Sequence, residues 1–187
     1  MKHLHTVPLG ISDLLLLRPE RHHDVRGSFM ELYTRQGHVK AGIDADFIQD
    51  NLVLTHRPNV IRGLHYQAPP HAQGKLICVI RGAILDVAVD IRHGSPTFAR
   101  HAAVELSDEN GLQMWVPPGF AHGYCTLKPD TIVLYKVTAA YAPQSEQAIA
   151  WNDPDLAINW PVGGRPLLSE RDAHAPRLKD LPAHFSV

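Results

Sequence analysis

Cysteine is scarce in this chain, with 2 among 187 residues, Cys78 and Cys125. Neither belongs to a C-x-x-C pair, so a disulfide-stapled scaffold and a thiol redox motif are both excluded. Cys78 lies inside the apolar run Leu76-Ile77-Cys78-Val79-Ile80 and reads as a reduced core residue. A surplus of either charge is also lacking. The 18 Lys+Arg against 19 Asp+Glu leave a formal net charge of -1, which does not suit a chain that coats nucleic acid or an anionic membrane. Neither partner is expected, and any anion must be met by a local cluster. The stretch Met1-Lys2-His3-Leu4-His5-Thr6-Val7-Pro8 has no apolar core of signal-peptide length, and the nearest run, Leu14 to Leu17, is one short strand. A cytoplasmic protein is expected. Repeats, low-complexity tracts and charge blocks are missing too, so residues 1–187 read as one domain.

Histidine and proline, in contrast, are abundant, at 13 and 15 residues. The histidines raise the question of a metal or proton-transfer site. With 44% hydrophobic and 20% charged residues the composition is that of a folded protein, long enough to bury about 70% of its unfolded surface. Between turn signals lie β-like segments at 14–17, 29–33, 47–54, 75–80, 83–91, 102–106, 114–116 and 132–137. The clearest is Leu85-Asp86-Val87-Ala88-Val89-Asp90-Ile91, which puts Leu, Val, Val and Ile on one face and the two Asp with Ala88 on the other. Arg81-Gly82 before it reads as a tight turn, predicting a hairpin of 75–81 with 83–91. Helix is expected only around 35–41 and as a turn or two within 172–181. Many short strands with short periphery predict an all-β sandwich or barrel, of which a double-sheet jelly roll is one closed form.

Three constellations carry possible chemistry. Arg62-Gly63-Leu64-His65-Tyr66-Gln67 is followed, after Ala68-Pro69-Pro70, by Gln73-Gly74-Lys75. A strand histidine is usually a structural, hydrogen-bonded residue. Three basic groups in one predicted hairpin are different, because desolvating them requires an anion or carboxylate. The second runs from Gly111 through Pro117-Pro118-Gly119-Phe120-Ala121-His122-Gly123, the pattern G-x5-P-x-G-x-x-H, which resembles the second motif of the cupin superfamily. In metal-binding cupins that His joins an H-x-H pair, whereas here the matching place reads His65-Tyr66-Gln67, and an open zinc or iron site generally needs three protein ligands. No metal is expected. The third is Leu134-Tyr135-Lys136, where a strand tyrosine by itself usually means packing.

Together these segments resemble the dTDP-4-dehydrorhamnose 3,5-epimerase family from about Leu14 to Leu178. The resemblance runs through Asp24-Val25-Arg26-Gly27, Phe29-Met30-Glu31, Gln49-Asp50-Asn51, the Arg62–Gln67 block, Gly74-Lys75-Leu76, Asp86–Asp90, Ser95-Pro96-Thr97-Phe98, Gly119–Gly123, Tyr135-Lys136, and Leu168-Ser169 with Asp172. It implies a jelly-roll cupin fold, a homodimer, no cofactor, and a dTDP-4-keto-6-deoxyhexose substrate inverted at C3 and C5. It also implies His65 as catalytic base paired with Asp172, Tyr135 as acid on the opposite sugar face, and Lys75 as the cation beside the keto oxygen. Arg26, Glu31, Gln49, Asn51, Arg62, His122 and Glu146 match the substrate-binding set. Arg171 stands where the family usually has lysine, and Arg26, Arg62, Lys75 and Arg171 are expected to form a cationic pocket for the diphosphate. Ala140 stands where an aromatic is common, weakening the expectation of base stacking. Alternatives are an epimerase acting at C3 or C5 alone, a metal-dependent cupin, and a non-catalytic sugar-nucleotide binder. The remaining histidines, His22, His23 and His71 among them, read as surface or structural residues.

Overall fold

The computed structural model describes residues 4–187; the first three residues of the N-terminal stretch considered above lie outside them. In chain order the elements begin with β1 (His5–Pro8), β2 (Leu15–Arg18), β3 (Arg21–Asp24), β4 (Gly27–Met30), α1 (Arg35–Lys40), β5 (Gln49–Thr55), β6 (Ile61–Gln67) and β7 (Lys75–Arg81). They continue with β8 (Ala83–Asp90), β9 (Arg92–His93), β10 (His101–Ser107), β11 (Gln113–Val116), β12 (Phe120–Thr126), β13 (Thr131–Val137), β14 (Glu146–Ala148), α2 (Glu170–Ala173) and β15 (Phe185–Ser186). The expected strands and the helix near 35–41 form within a few residues of their predicted limits.

The fold is a jelly roll. Six strands in the order β1-β2-β11-β7-β13-β5 face five in the order β10-β8-β12-β6-β14. The predicted hairpin of 75–81 with 83–91 does not form: β7 pairs with β11 and β13, while β8 pairs with β10 and β12 in the opposite sheet. Gly82, at φ 84°, turns the chain from one sheet into the other. A Cβ there would sit 2.4 Å from Thr131 Oγ1, so the corner needs glycine both for its torsion and for space.

Alternation builds the layers. On β13 the inward residues Thr131, Val133 and Val137 are buried, with Ile132 and Leu134 on the outer face. Between the sheets Ile77, Val79 and Val133 meet Ile84, Ala88, Leu106 and Phe120. Fully burying each larger side chain contributes about 1.5–3 kcal/mol. The alternation read in β8 is observed, but its apolar face points outward from the sandwich: Val87, Val89 and Ile91 pack under Ile149, Leu156 and Trp160 from the later part of the chain. The face carrying Asp86, Ala88 and Asp90 lines the interior, and both aspartates are fully buried. Asp90 is taken up structurally, accepting from Arg92 (2.8 Å), Ser95 (2.7 Å) and Thr97 (2.7 Å).

One irregularity positions the site. Opposite His122 and Tyr124 on β12 stand His65 and Arg62 on β6, so the one residue between them on β12, Gly123, stands against two on β6, Gly63 and Leu64. The extra residue lets Arg62 and His65, three positions apart, face the same way. Gly63 at φ 113° makes this possible, since a Cβ there would lie 2.7 Å from both Gly123 Cα and the His122 carbonyl oxygen.

Candidate active site

Inward residues of the two sheets open into a cavity of about 750 Å³. The six-stranded sheet supplies Gln49 and Asn51 from β5, Lys75 from β7 and Tyr135 from β13; the five-stranded sheet supplies Arg62 and His65 from β6, His122 and Tyr124 from β12, and Glu146 from β14. Asp172 enters from α2. Nine of the twelve residues singled out by sequence thus line one cavity.

His65 Nε2 lies 2.6 Å from Asp172 Oδ1, with the histidine side chain 28% exposed and the aspartate 4%. Ser169 caps α2 by accepting from the Asp172 backbone N–H at 3.1 Å, and Gly63 N–H donates to Asp172 Oδ2 at 3.4 Å. Burial pushes the Asp172 carboxyl up, but the hydrogen bond and charge of His65, with the backbone donor, outweigh it and hold it below the usual carboxylate range. An ionised Asp172 facing Nε2 makes that nitrogen the donor and leaves Nδ1 as the atom that can take a proton.

Across the cavity, Lys75 Nζ donates to the His65 carbonyl oxygen at 3.2 Å. Burial lowers its pKa to about 8, partly offset by the charges of Glu146 and Asp86. Burial raises Tyr135, with Arg62 pulling down and Glu146 pushing up, so its phenol keeps its proton at neutral pH. Gln49 donates to Asn51 Oδ1 at 2.8 Å, and Arg62 Nη2 approaches Thr55 Oγ1 at 3.5 Å.

A second histidine–carboxylate pair stands beside the first. His122 Nε2 lies 2.7 Å from Asp86 Oδ1, and both are buried. The other Asp86 oxygen and the Tyr124 hydroxyl have no hydrogen-bond partner among the described residues. Asp86 and Tyr124 were not singled out by sequence; the alternation of β8, with aspartate on the inward face, was the available signal for Asp86.

At the rim, Glu146 Oε2 accepts from the Tyr141 hydroxyl at 2.8 Å and from Arg171. Arg171 therefore reaches the site through Glu146 and does not itself line the cavity. Arg26 and Glu31 also lie outside the cavity lining, so the expected four-cation pocket is reduced to Arg62 and Lys75 with Arg171 at its edge. The physical reason for Arg26 is local: it sits at the tip of the β3–β4 hairpin, 86% exposed, with its Nε donating to Asp24 at 3.1 Å. Gln67, at the place of the second metal-motif histidine, bonds the His71 and Ala140 carbonyls and the Ala142 N–H at 2.8, 3.1 and 2.8 Å. Among the described residues no three His, Cys, Asp or Glu are grouped to hold a metal ion. His22 and His23 are exposed on β3, and His38 is buried with Nδ1 3.0 Å from the Thr34 carbonyl oxygen.

A family model described as dTDP-4-dehydrorhamnose 3,5-epimerase matches residues 8–180. The protein of that name from Sinorhizobium fredii is 46% identical over 177 residues, covering 95% of this chain and 91% of the relative. The Legionella pneumophila dTDP-6-deoxy-D-glucose-3,5-epimerase, solved in complex with dTDP-4-keto-L-rhamnose, superposes with a TM-score of 0.93 at 42% identity, covering 97% of this chain and 96% of that one. The Bacillus anthracis dTDP-4-dehydrorhamnose 3,5-epimerase, solved with TDP and PPi, gives 0.91 at 44% identity, covering 93% and 99%.

Proposed function

The chain belongs to the dTDP-4-dehydrorhamnose 3,5-epimerase family, and from that premise we propose how its cavity performs the reaction. The enzyme is an isomerase that converts dTDP-4-dehydro-6-deoxy-D-glucose to dTDP-4-dehydro-L-rhamnose by inverting C3 and C5. The names of these relatives favour this double inversion over inversion at one carbon.

One observation supports the mechanism above all: a histidine able to accept a proton and a tyrosine able to donate one come from opposite sheets of a single cavity that a lysine also lines. The 4-keto group acidifies the protons at C3 and C5, yet they leave quickly only if the enolate is stabilised as it forms. His65 Nδ1 takes the proton, and Asp172 stabilises the resulting imidazolium and fixes the ring. Lys75 faces the developing oxyanion, a role typically worth about 3–4 kcal/mol. Tyr135 returns a proton from the other wall, and that difference of face makes the step an inversion. His122, Arg62, Gln49, Asn51 and Glu146 bind the sugar nucleotide, with Arg62 and Arg171 as the cations for the diphosphate.

The chemistry needs no metal or organic cofactor. Residues 1–187 act as one catalytic domain, and the cytoplasm, where sugar nucleotides are made, is its place. No helix among the described residues is long and apolar enough to cross a membrane.

The working unit is a homodimer. Support comes from exposed Ile48, Leu52 and Leu54 on and beside the edge strand β5, and from exposed Val25 and Phe29 on the β3–β4 hairpin. The same hairpin carries Arg26, and Glu31 follows it. Both belong to the substrate-binding set yet lie outside this chain's own cavity, so delivery to a partner's cavity would give them their role. Mixing Arg26→Ala with His65→Ala chains should restore activity through hybrid dimers; no restoration would remove the crossing. Incubation with substrate in deuterated water tests the reaction itself: NMR should find label at both C3 and C5, and label at one carbon alone would refute double inversion.

A further inference from the structure

Residues 138–142, which follow β13 along the cavity rim, form neither helix nor strand, yet their peptide groups are held by two glutamine side chains. Gln67, the last residue of β6 and 4% exposed, donates from Nε2 to the carbonyl oxygens of His71 (2.8 Å) and Ala140 (3.1 Å) and accepts the Ala142 N–H on Oε1 at 2.8 Å. Both of its N–H groups and its carbonyl oxygen are thereby used. Gln73, half-buried, donates to the Ala139 carbonyl oxygen at 2.6 Å. Backbone that leaves both water and the sheet ladders still needs partners, and here side chains supply them on either side of one residue, Tyr141.

Tyr141 is 58% exposed and lines the cavity. Its hydroxyl donates to Glu146 Oε2 at 2.8 Å. Gln67 and Glu146 stand opposite each other across β6 and β14. The tyrosine is thus tied at its flanking peptide groups by one member of a cross-strand pair and at its hydroxyl by the other. A ligand that settles on a mobile side chain must order it first, and a ring already fixed avoids that cost.

We infer that Gln67, with Gln73 beside it, is a positioning residue for the nucleotide, holding Tyr141 as a fixed platform for the base of the dTDP moiety. Ala140 offers no ring one position earlier, so Tyr141 is the aromatic that this segment presents. A base has a flat face that stacks on aromatic rings, whereas a diphosphate is drawn to cations and gains nothing from a ring. At the place where a metal-binding cupin puts its second histidine, this chain has a side chain whose three hydrogen bonds all go to loop backbone.

The idea rests on the cavity binding a dTDP-sugar, and calorimetry on the full-length protein separates the two claims. Tyr141→Ala should weaken dTDP binding about tenfold, and Gln67→Met about 3–5-fold. KM for the sugar nucleotide should rise with them while kcat at saturation stays within about twofold, because the base lies away from the reacting carbons. Gln67 acts through Tyr141, so the double variant should bind dTDP no more weakly than Tyr141→Ala alone; additive losses, the mark of a general structural role, overturn the inference. Pyrophosphate, which has no base, should bind parent and variants alike, and an equal loss there also overturns it. If Gln67→Met does not fold, Gln73→Met at its half-buried position takes its place in the cycle, and unchanged dTDP affinity in that variant overturns the inference. A parent that binds pyrophosphate but not dTDP would remove the dTDP-sugar reading and the platform with it, whereas unchanged affinity in the variants removes the platform alone.

Discussion

Two histidine–aspartate pairs stand side by side on the same wall, with nearly equal separations of 2.6 and 2.7 Å, and they differ in exposure. His65 is 28% exposed at its side chain and its carboxylate arrives on a short helix far along the chain; His122 is 8% exposed and its carboxylate comes from the neighbouring strand. Asp172 has donors on both oxygens, whereas Asp86 keeps one oxygen unbonded. In the proposed mechanism, access to the reacting carbon separates the pair that would cycle its proton from the pair that would hold structure in place.

The sharpest way to break this contrast is to delete each imidazole. His65→Ala should lower solvent exchange and turnover by about 10³–10⁴-fold, while His122→Ala leaves exchange measurable with weakened substrate binding. Equal loss of exchange in both would show that the second pair also takes protons. Asp172→Asn should cost about 10³-fold in turnover with little change in KM, because His65 loses its orienting charge. The same variant carries a pH signature. Since the Asp172 carboxyl is held low in the folded state, its contribution to stability is complete above its unfolded value of about 4 and is lost as pH falls through the folded value. Thermal melting should therefore fall less steeply on acidification in Asp172→Asn than in the parent.

Tyr135→Phe should slow inversion by about 10²-fold while exchange at C3 or C5 continues; equal loss of both would merge the two faces. In stability the order of the histidines reverses. His122→Ala, which leaves Asp86 buried without its partner, should cost about 1–3 kcal/mol in denaturant unfolding, well above His65→Ala. Ser169→Ala removes the cap of α2 and should cost about 1 kcal/mol, with a modest fall in turnover as Asp172 loosens.

The site was more legible in the sequence than the path of the chain. Period-two alternation identified β8 and its two faces, because a strand's side chains alternate whatever surrounds them. It did not say that the aspartate face would be the interior, since polar residues on one face ordinarily mean water. Asp90 is inside because Arg92, Ser95 and Thr97 satisfy it, and Asp86 because His122 does. Arg81-Gly82 marked a turn correctly, but a turn signal does not state the plane in which the next strand lies. The roles expected of His65, Lys75, Tyr135 and Asp172 came from motif resemblance; the structure brings all four to one cavity. Arg26 matched the motif yet lies outside this chain's cavity lining, because a motif gives residue order and carries no information about where a hairpin tip stands in space.

The corner at Gly82 also governs how such a molecule must assemble. Strands joined by a single residue lie in different sheets, so β7 waits for β11 and β13 while β8 waits for β10 and β12. Pairings that distant in sequence close large loops before any contact rewards them, which places folding in the slow, millisecond-to-second class of β proteins. Asp172 comes later than any of these strands. During synthesis, every strand that lines the cavity is therefore made before the carboxylate that pairs with His65.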